Sequence, residues 1–243
     1  MPDDASPLPP KRAVTNQADG RTDFGAPAGP DPSTPGATNP SPPAGGTVRA
    51  KHAASLIVLR SGSGEPHMLM GMRGASHRFM PNRLVFPGGR VDRADLKAPS
   101  ATPLSPPTER ALRKRTNAAM AHGLAAAAAR ELQEETGLTL GHPPRLDALH
   151  YLARAVTPPG LPMRFNARFL VVDEQHVRGE LAGDGELEGL RFWGMTEAQA
   201  LPLALPTRRV LERLQLWLAM PPTEREAQTS TPVLLRDRGW LME

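Results

Sequence analysis

Leu124-Ala125-Ala126-Ala127-Ala128-Ala129-Arg130-Glu131-Leu132-Gln133-Glu134-Glu135-Thr136-Gly137-Leu138 is the stretch on which the reading of this chain turns. Alanine, leucine and the straight-chain residues between them favour helix, and Gly137 suits the left-handed conformation that ends one. The stretch predicts a helix of about four turns. On it Glu131, Glu134 and Glu135 stand at i, i+3 and i+4, so three carboxylates share one patch. Like charges ~5 Å apart repel by roughly 3 kcal/mol per pair at an effective dielectric of about 20. Pairing of Arg130 with Glu134 returns only a few tenths of a kcal/mol. Glu134 and Glu135 also lie in the last turn, where the helix dipole disfavours anions. A divalent cation meets both objections, because it neutralises the cluster and prefers oxygen ligands. The competing reading is a solvated charged face. Against it, alanine and leucine lead into Arg130, so the acids end an apolar helix.

Arg130 to Leu138 resembles the second half of the Nudix box, R-E-U-x-E-E-x-G-U with U aliphatic, at every fixed position. The first half, G-x5-E, is matched by Gly89 to Asp95 with aspartate in place of glutamate. Residues 96–129 then separate the halves, a far longer gap than the family pattern has. Phe86-Pro87-Gly88-Gly89 resembles the family's P-G-G turn. The resemblance implies an α+β fold, an α/β/α sandwich with a mixed sheet, and hydrolysis of the diphosphate bond in a nucleoside diphosphate linked to another moiety. It also implies Mg2+ or Mn2+, held by Glu131, Glu134, Glu135 and the backbone carbonyl of Gly88. Glu131 is a further ligand or the base, Glu134 is catalytic, and Arg130 orients one or the other. Glu186 or Glu188 would supply an additional acid from a loop, while Asp92 and Asp95 would orient waters or basic partners.

Arg73, Arg78, Leu84, Phe86 and the Pro87-Gly88-Gly89 turn recur at spacings similar to the signature of Nudix enzymes that act on coenzyme A. Asn82 stands where that signature has glycine and Arg83 where it has an acid. Two arginines ahead of a metal site suit forked hydrogen bonds to a phosphate or diphosphate, although solvating a loop is an equal alternative. The insertion within the box, residues 96–122, resembles that of the peroxisomal type of coenzyme A diphosphatase and its bacterial relatives. The expected substrate is therefore coenzyme A or an acyl-coenzyme A. The alternatives are ADP-ribose or another nucleotide-sugar or dinucleotide, and a non-catalytic nucleotide-binding module.

Of the 243 residues, the first 48 are mainly Pro, Gly, Ser, Thr, Ala and Asp with few large apolar side chains, which predicts a disordered leader over 1–48. The domain then spans 49–222, and 223–243 forms a C-terminal extension. The net charge of +4 is scattered, and the aromatic content of 4% offers no base-stacking platform, so nucleic acid is not an expected partner. Without cysteine there is no thiol nucleophile and no sulfur-held metal. No apolar run reaches the length of a membrane span. A small nucleotide diphosphate is the expected partner, in the cytoplasm, and the sequence leaves room for a homodimer.

Around the box, Ala53–Leu59 and His67–Met72 read as a hairpin and Leu84–Phe86 as a short strand. Proline excludes regular structure over 96–108. A helix is expected from Thr108 to about Met120, with Gly123 breaking it before the main one. Ala148–Val156 and Met163–Asp173 read as strands whose Arg154, Arg164 and Arg168 either line the cleft or form the wet face of the sheet. Residues 183–189 read as an acidic loop, Leu190–Trp193 as a strand, and Thr196-Glu197-Ala198-Gln199 as a capping box. Pro206–Met220 is the last helix. Val233-Leu234-Leu235 and Trp240 add a strand or cover an edge.

Overall fold

The computed structural model describes residues 48–62, 64–74, 82–183, 185–235 and 239–243. The leader over 1–48, apart from Val48, and Arg78 lie outside the described residues.

A strand buried on both faces needs apolar side chains at successive positions, and β1 (Lys51–Arg60) supplies them from Ala53 to Leu59. It sits centrally. β2 (His67–Arg73) turns back along it, β3 (Leu84–Val85) pairs with β2, and β4 (Gly88–Arg90) pairs with β1. β6 (Phe165–Asp173) runs parallel to β1 and antiparallel to β5 (His150–Val156). β7 (Leu187–Gly194) closes onto β2. The sheet order is β3-β2-β1-β6-β5, continued by β8 (Pro232–Leu235) and β9 (Trp240–Met242). β8 lies parallel to β5, so the sheet is mixed and extends through the stretch set aside as an extension.

The expected α/β/α sandwich is present. α1 (Pro106–Arg113) and α2 (Ala118–Thr136) cover one face, packing Leu112, Leu124, Ala128 and Leu132 on Leu56, Val58, Leu170 and Val172. On the other face α3 (Met195–Ala200) and α4 (Leu205–Ala219) press Met195, Val210, Leu211, Leu214 and Trp217 on Ile57, Met68, Phe169 and Val171. α5 (Pro222–Ala227) follows. Among the described residues no helix is long and apolar enough to cross a membrane.

Two expectations about helix ends are corrected. α2 begins at Ala118, where Asn117 caps it by accepting the amide of Met120 at 2.9 Å, and it runs through Gly123 without a break. Gly123 is needed for space instead: a Cβ there would lie 2.7 Å from a methyl of Leu96, so the insertion packs directly on the helix backbone. The preceding helix is correspondingly short, ending at Arg113. At α3 the cap is Gly194, with no side-chain bond of its own, and the amide of Thr196 is taken by Glu65 from the β1–β2 turn at 2.9 Å. A capping box over 196–199 does not form because Thr196 is already inside the helix.

Candidate active site

α2 ends at Gly137 with φ 73, the left-handed cap, and its last two turns lie over β4. This overlay brings Glu131 and Glu135 onto the Gly88-Gly89 turn. The carboxylate of Glu131 lies where a side chain on residue 89 would be, its Oε1 2.2 Å from an ideal Cβ position. Gly88, at φ 153, is hemmed in by the Ala54 carbonyl, and its amide donates to Glu135 Oε2 at 2.8 Å. Two glycines are therefore required by the helix that crosses them.

Arg130 organises the acids. All five of its N–H groups are engaged: two with Asp95, one each with Glu131 at 2.8 Å and Glu134 at 2.7 Å, and one with the Arg90 carbonyl at 3.0 Å. The bonds to Asp95 raise its pKa further. Asp95 is buried and also accepts the amide of Asp92 at 2.8 Å. It is thus tied to Arg130 inside the fold. Asp92 is exposed.

Burial pushes the carboxyl of Glu131 up, against the pull of Arg130. Glu135, 2% exposed, is pushed up to about 8, chiefly by burial, with Glu131 and Glu186 adding repulsion and the Gly88 amide and Arg73 opposing it. A carboxyl so placed gains by meeting a cation, and the oxygen-only donor set suits a hard divalent ion. The residues fit such an ion chemically. As they stand, no three acidic or histidine side chains among the described residues close around one point. Glu134 accepts from Arg130 through Oε2, and Glu135 accepts from the Gly88 amide through Oε2.

Beside the acids lies a cavity of about 820 Å³, within the range for nucleotide-sized ligands. Glu131, Glu134 and Glu186 line one end together with Arg73 and Arg90. Its remaining wall is largely apolar and comes from the β5–β6 connection, β6, the start of α4, and β8. Of the residues proposed from sequence, Glu131, Glu134, Gly88, Arg73 and Glu186 line this cavity and Glu135 lies just behind it.

Others stand elsewhere. Glu188 is not in a loop but in β7, opposite Met72, and does not line the cavity. Arg154 is buried, bonded to Asn166 at 3.2 Å and ion-paired to Glu243. Arg164 donates to the carbonyls of Thr157 and Val48, at 3.1 and 2.5 Å, and lines a smaller hollow that adjoins the cavity at Thr157. Neither lines the cavity, and Arg168, 1% exposed, lies neither in the cleft nor on a wet face. These arginines are covered by elements distant in sequence. Alternation along a strand could not reveal that cover. Asn82, where glycine was expected, has φ 53, a conformation asparagine tolerates, and Arg83 donates to the Pro202 carbonyl at 2.6 Å. Sequence reasoning missed Lys51 and Arg90 in the lining, and the apolar wall, whose residues carry no motif.

A family model described as the NUDIX domain matches residues 119–214. No curated protein sequence matches the chain. Among solved structures, the chain is similar to a NUDIX hydrolase from Alicyclobacillus acidocaldarius, with 25% identity and a TM-score of 0.53 over 68% of this chain and 90% of that one. It is also similar to a MutT NUDIX hydrolase from Burkholderia pseudomallei, with 19% identity and a TM-score of 0.45 over 69% of this chain and 99% of that one. A third is the NUDIX domain of Shewanella oneidensis NrtR, solved with ADP ribose, with 13% identity and a TM-score of 0.44 over 71% and 90%.

Proposed function

We propose that this hydrolase, built on a Nudix domain, cuts the diphosphate bridge of coenzyme A or an acyl-coenzyme A, releasing 3′,5′-ADP and a phosphopantetheine product. The observation that carries the reading is one cavity with carboxylates and Arg73 at one end and an apolar wall at the other. That combination suits a diphosphate attached to a long, weakly polar arm better than one attached to a sugar. Arg73 and the insertion ahead of α2 support it through the resemblance drawn from the sequence.

Glu131, Glu134, Glu135 and the carbonyl of Gly88 would hold Mg2+ or Mn2+. When bound, the ion screens diphosphate charge and acidifies a water. Arg130 fixes Glu131 and Glu134 through charge-assisted bonds, so their orientation does not depend on the ion alone. Glu131, half-buried with a raised pKa, is suited to take the proton from the attacking water. Arg73 neutralises the phosphoryl oxygens. Glu186 adds a further acid at the rim.

The test is incubation with coenzyme A, decanoyl-coenzyme A, ADP-ribose and NADH in Mg2+ or Mn2+, with products read by mass spectrometry. Release of 3′,5′-ADP at the highest kcat/KM is the expected result. Preference for ADP-ribose by more than about tenfold, some 1.4 kcal/mol of transition-state binding, would transfer the reading to that substrate. No turnover of any would leave a binding module.

A further inference from the structure

The apolar end of the cavity is built from parts that have no reason to leave leucine in water. Leu161 on the β5–β6 connection is 47% exposed and Leu205 at the start of α4 is 43% exposed, and both line the same space. Met163, Phe165, Phe169 and Leu234 complete its wall. Beyond the acids and Arg73 and Arg90, the polar side chains in the lining are Lys51, Ser55, Thr157 and Thr207, and no Asp, Asn, Gln or His among the described residues joins them, so apolar side chains make up most of the rest of the wall.

The apolar surface continues past the rim. A second hollow of about 340 Å³ shares Val156, Thr157 and Pro158 with the main cavity, takes in Pro159 and Arg164, and ends on Leu235 and on Leu241, itself 44% exposed; Arg164 is the one charged side chain in a lining otherwise apolar but for Thr157. Neighbouring residues of β8 thus serve both spaces, Leu234 the cavity and Leu235 the hollow. The result is an apolar track that begins beside a diphosphate-sized acid end and leaves over β9. Exposed leucines on three separate elements along one track are what a ligand would cover.

We propose that this track is a subsite for an extended alkyl or acyl chain carried by the molecule whose diphosphate sits at the acid end. The inference rests on the reading of that end as the diphosphate site and deepens it by naming the chemistry of the attached group. Leu161 and Leu205 act as specificity residues: they hold the chain and take no part in the bond cleavage.

The experiment uses non-hydrolysable probes, the methyl and decyl esters of methylenebisphosphonate, titrated calorimetrically into the full chain in Mg2+. The expected result is that the decyl ester binds at least about fiftyfold more tightly than the methyl ester, because its added methylenes leave water. Leu161→Ser combined with Leu205→Ser should cut that ratio by about tenfold, again by removing apolar contact area. Both positions are exposed, so the double variant should fold, which its thermal melt will show. Leu241→Ser, probed with a hexadecyl ester, tests the outer stretch of the track separately.

A ratio within about threefold in the unaltered protein, under 1 kcal/mol, would overturn the proposal, as would a ratio that the double variant leaves unchanged. If the decyl ester binds tightly but no acyl-coenzyme A, coenzyme A or ADP-ribose is cleaved, the enzymatic reading fails and the subsite stands. If neither ester binds, the acid end is not a diphosphate site and both fall.

Discussion

Asp95 offers one carboxylate oxygen to Nε of Arg130 and the other to an Nη, each at 3.1 Å, across the residues that split the signature motif. The shorter acid reaches because a 3-10 turn over Asp95–Lys97 sits against α2. Asp95→Asn removes a buried charge partner and leaves Arg130 to the two glutamates. Breaking such a pair costs about 3 kcal/mol. A denaturant melt should show that loss, with kcat reduced at unchanged Mg2+ concentration. A variant with both stability and rate retained would mean that Arg130 is held by its other partners alone.

Glu134→Gln should lower turnover by about two orders of magnitude, the scale of losing one charge-stabilising or proton-transferring group. Its side chain is 54% exposed and its bond to Arg130 is at the surface, so stability should move by less than about 1 kcal/mol. Steady-state rates beside a thermal melt separate the two effects.

Gly89→Ala introduces a methyl where Glu131 now has its carboxylate. Helix or turn must shift, at a cost of about 1–3 kcal/mol for overpacking. Activity should fall at least about tenfold through displacement of Glu131, since misplacing a catalytic group by an ångström costs that much or more. Retained activity would mean that Glu131 works from another position.

The raised pKa of Glu135, about 8 against an ordinary 4.5, has a defined direction for stability. Between those values the folded chain keeps a proton that the unfolded chain has lost, so this group's contribution to stability falls as pH rises from 4.5 to 8. A divalent cation held by Glu135 would take the place of that proton. The rise in melting temperature on adding Mg2+ should therefore be larger at pH 8.5 than at pH 6. An equal rise at both would remove Glu135 from the ion's neighbourhood.

Glu243 accepts from Arg154 and from Arg115 Nε, the latter at 3.1 Å, and its backbone carbonyl accepts from Lys114. Glu243→Gln leaves Arg154 buried without its carboxylate. A loss of about 1–3 kcal/mol is expected from an uncompensated buried charge at the edge of the fold. Chemical denaturation measures it, and no change would show that Asn166 suffices for Arg154.

The sandwich and the acid helix were readable because their signals are local. Apolar runs set β1 and β6, and the spacing of Glu131, Glu134 and Glu135 put them on one face. What could not be read depends on residues far apart in the chain. Gly123 looked like a break until Leu96 was seen against it, and the alternation of β6 gave no hint that Arg168 would be covered. Arg154 read as either a cleft or a wet-face residue, yet it is buried against Glu243, 89 positions further along the chain and just past β9. The apolar wall has no motif because shape, not chemistry at one atom, defines it.

Leu234 enters the cavity wall from β8, about a hundred residues after the carboxylate of Glu134. During synthesis the acid helix and central strands emerge well before the strand that walls the cavity. A chain lacking β8 would therefore leave the apolar wall of the cavity open at Leu234 while keeping the acids in place. The acids thus come from the middle of the chain and part of the apolar wall from its last strands, so a truncation before β8 would alter the wall and spare the acids.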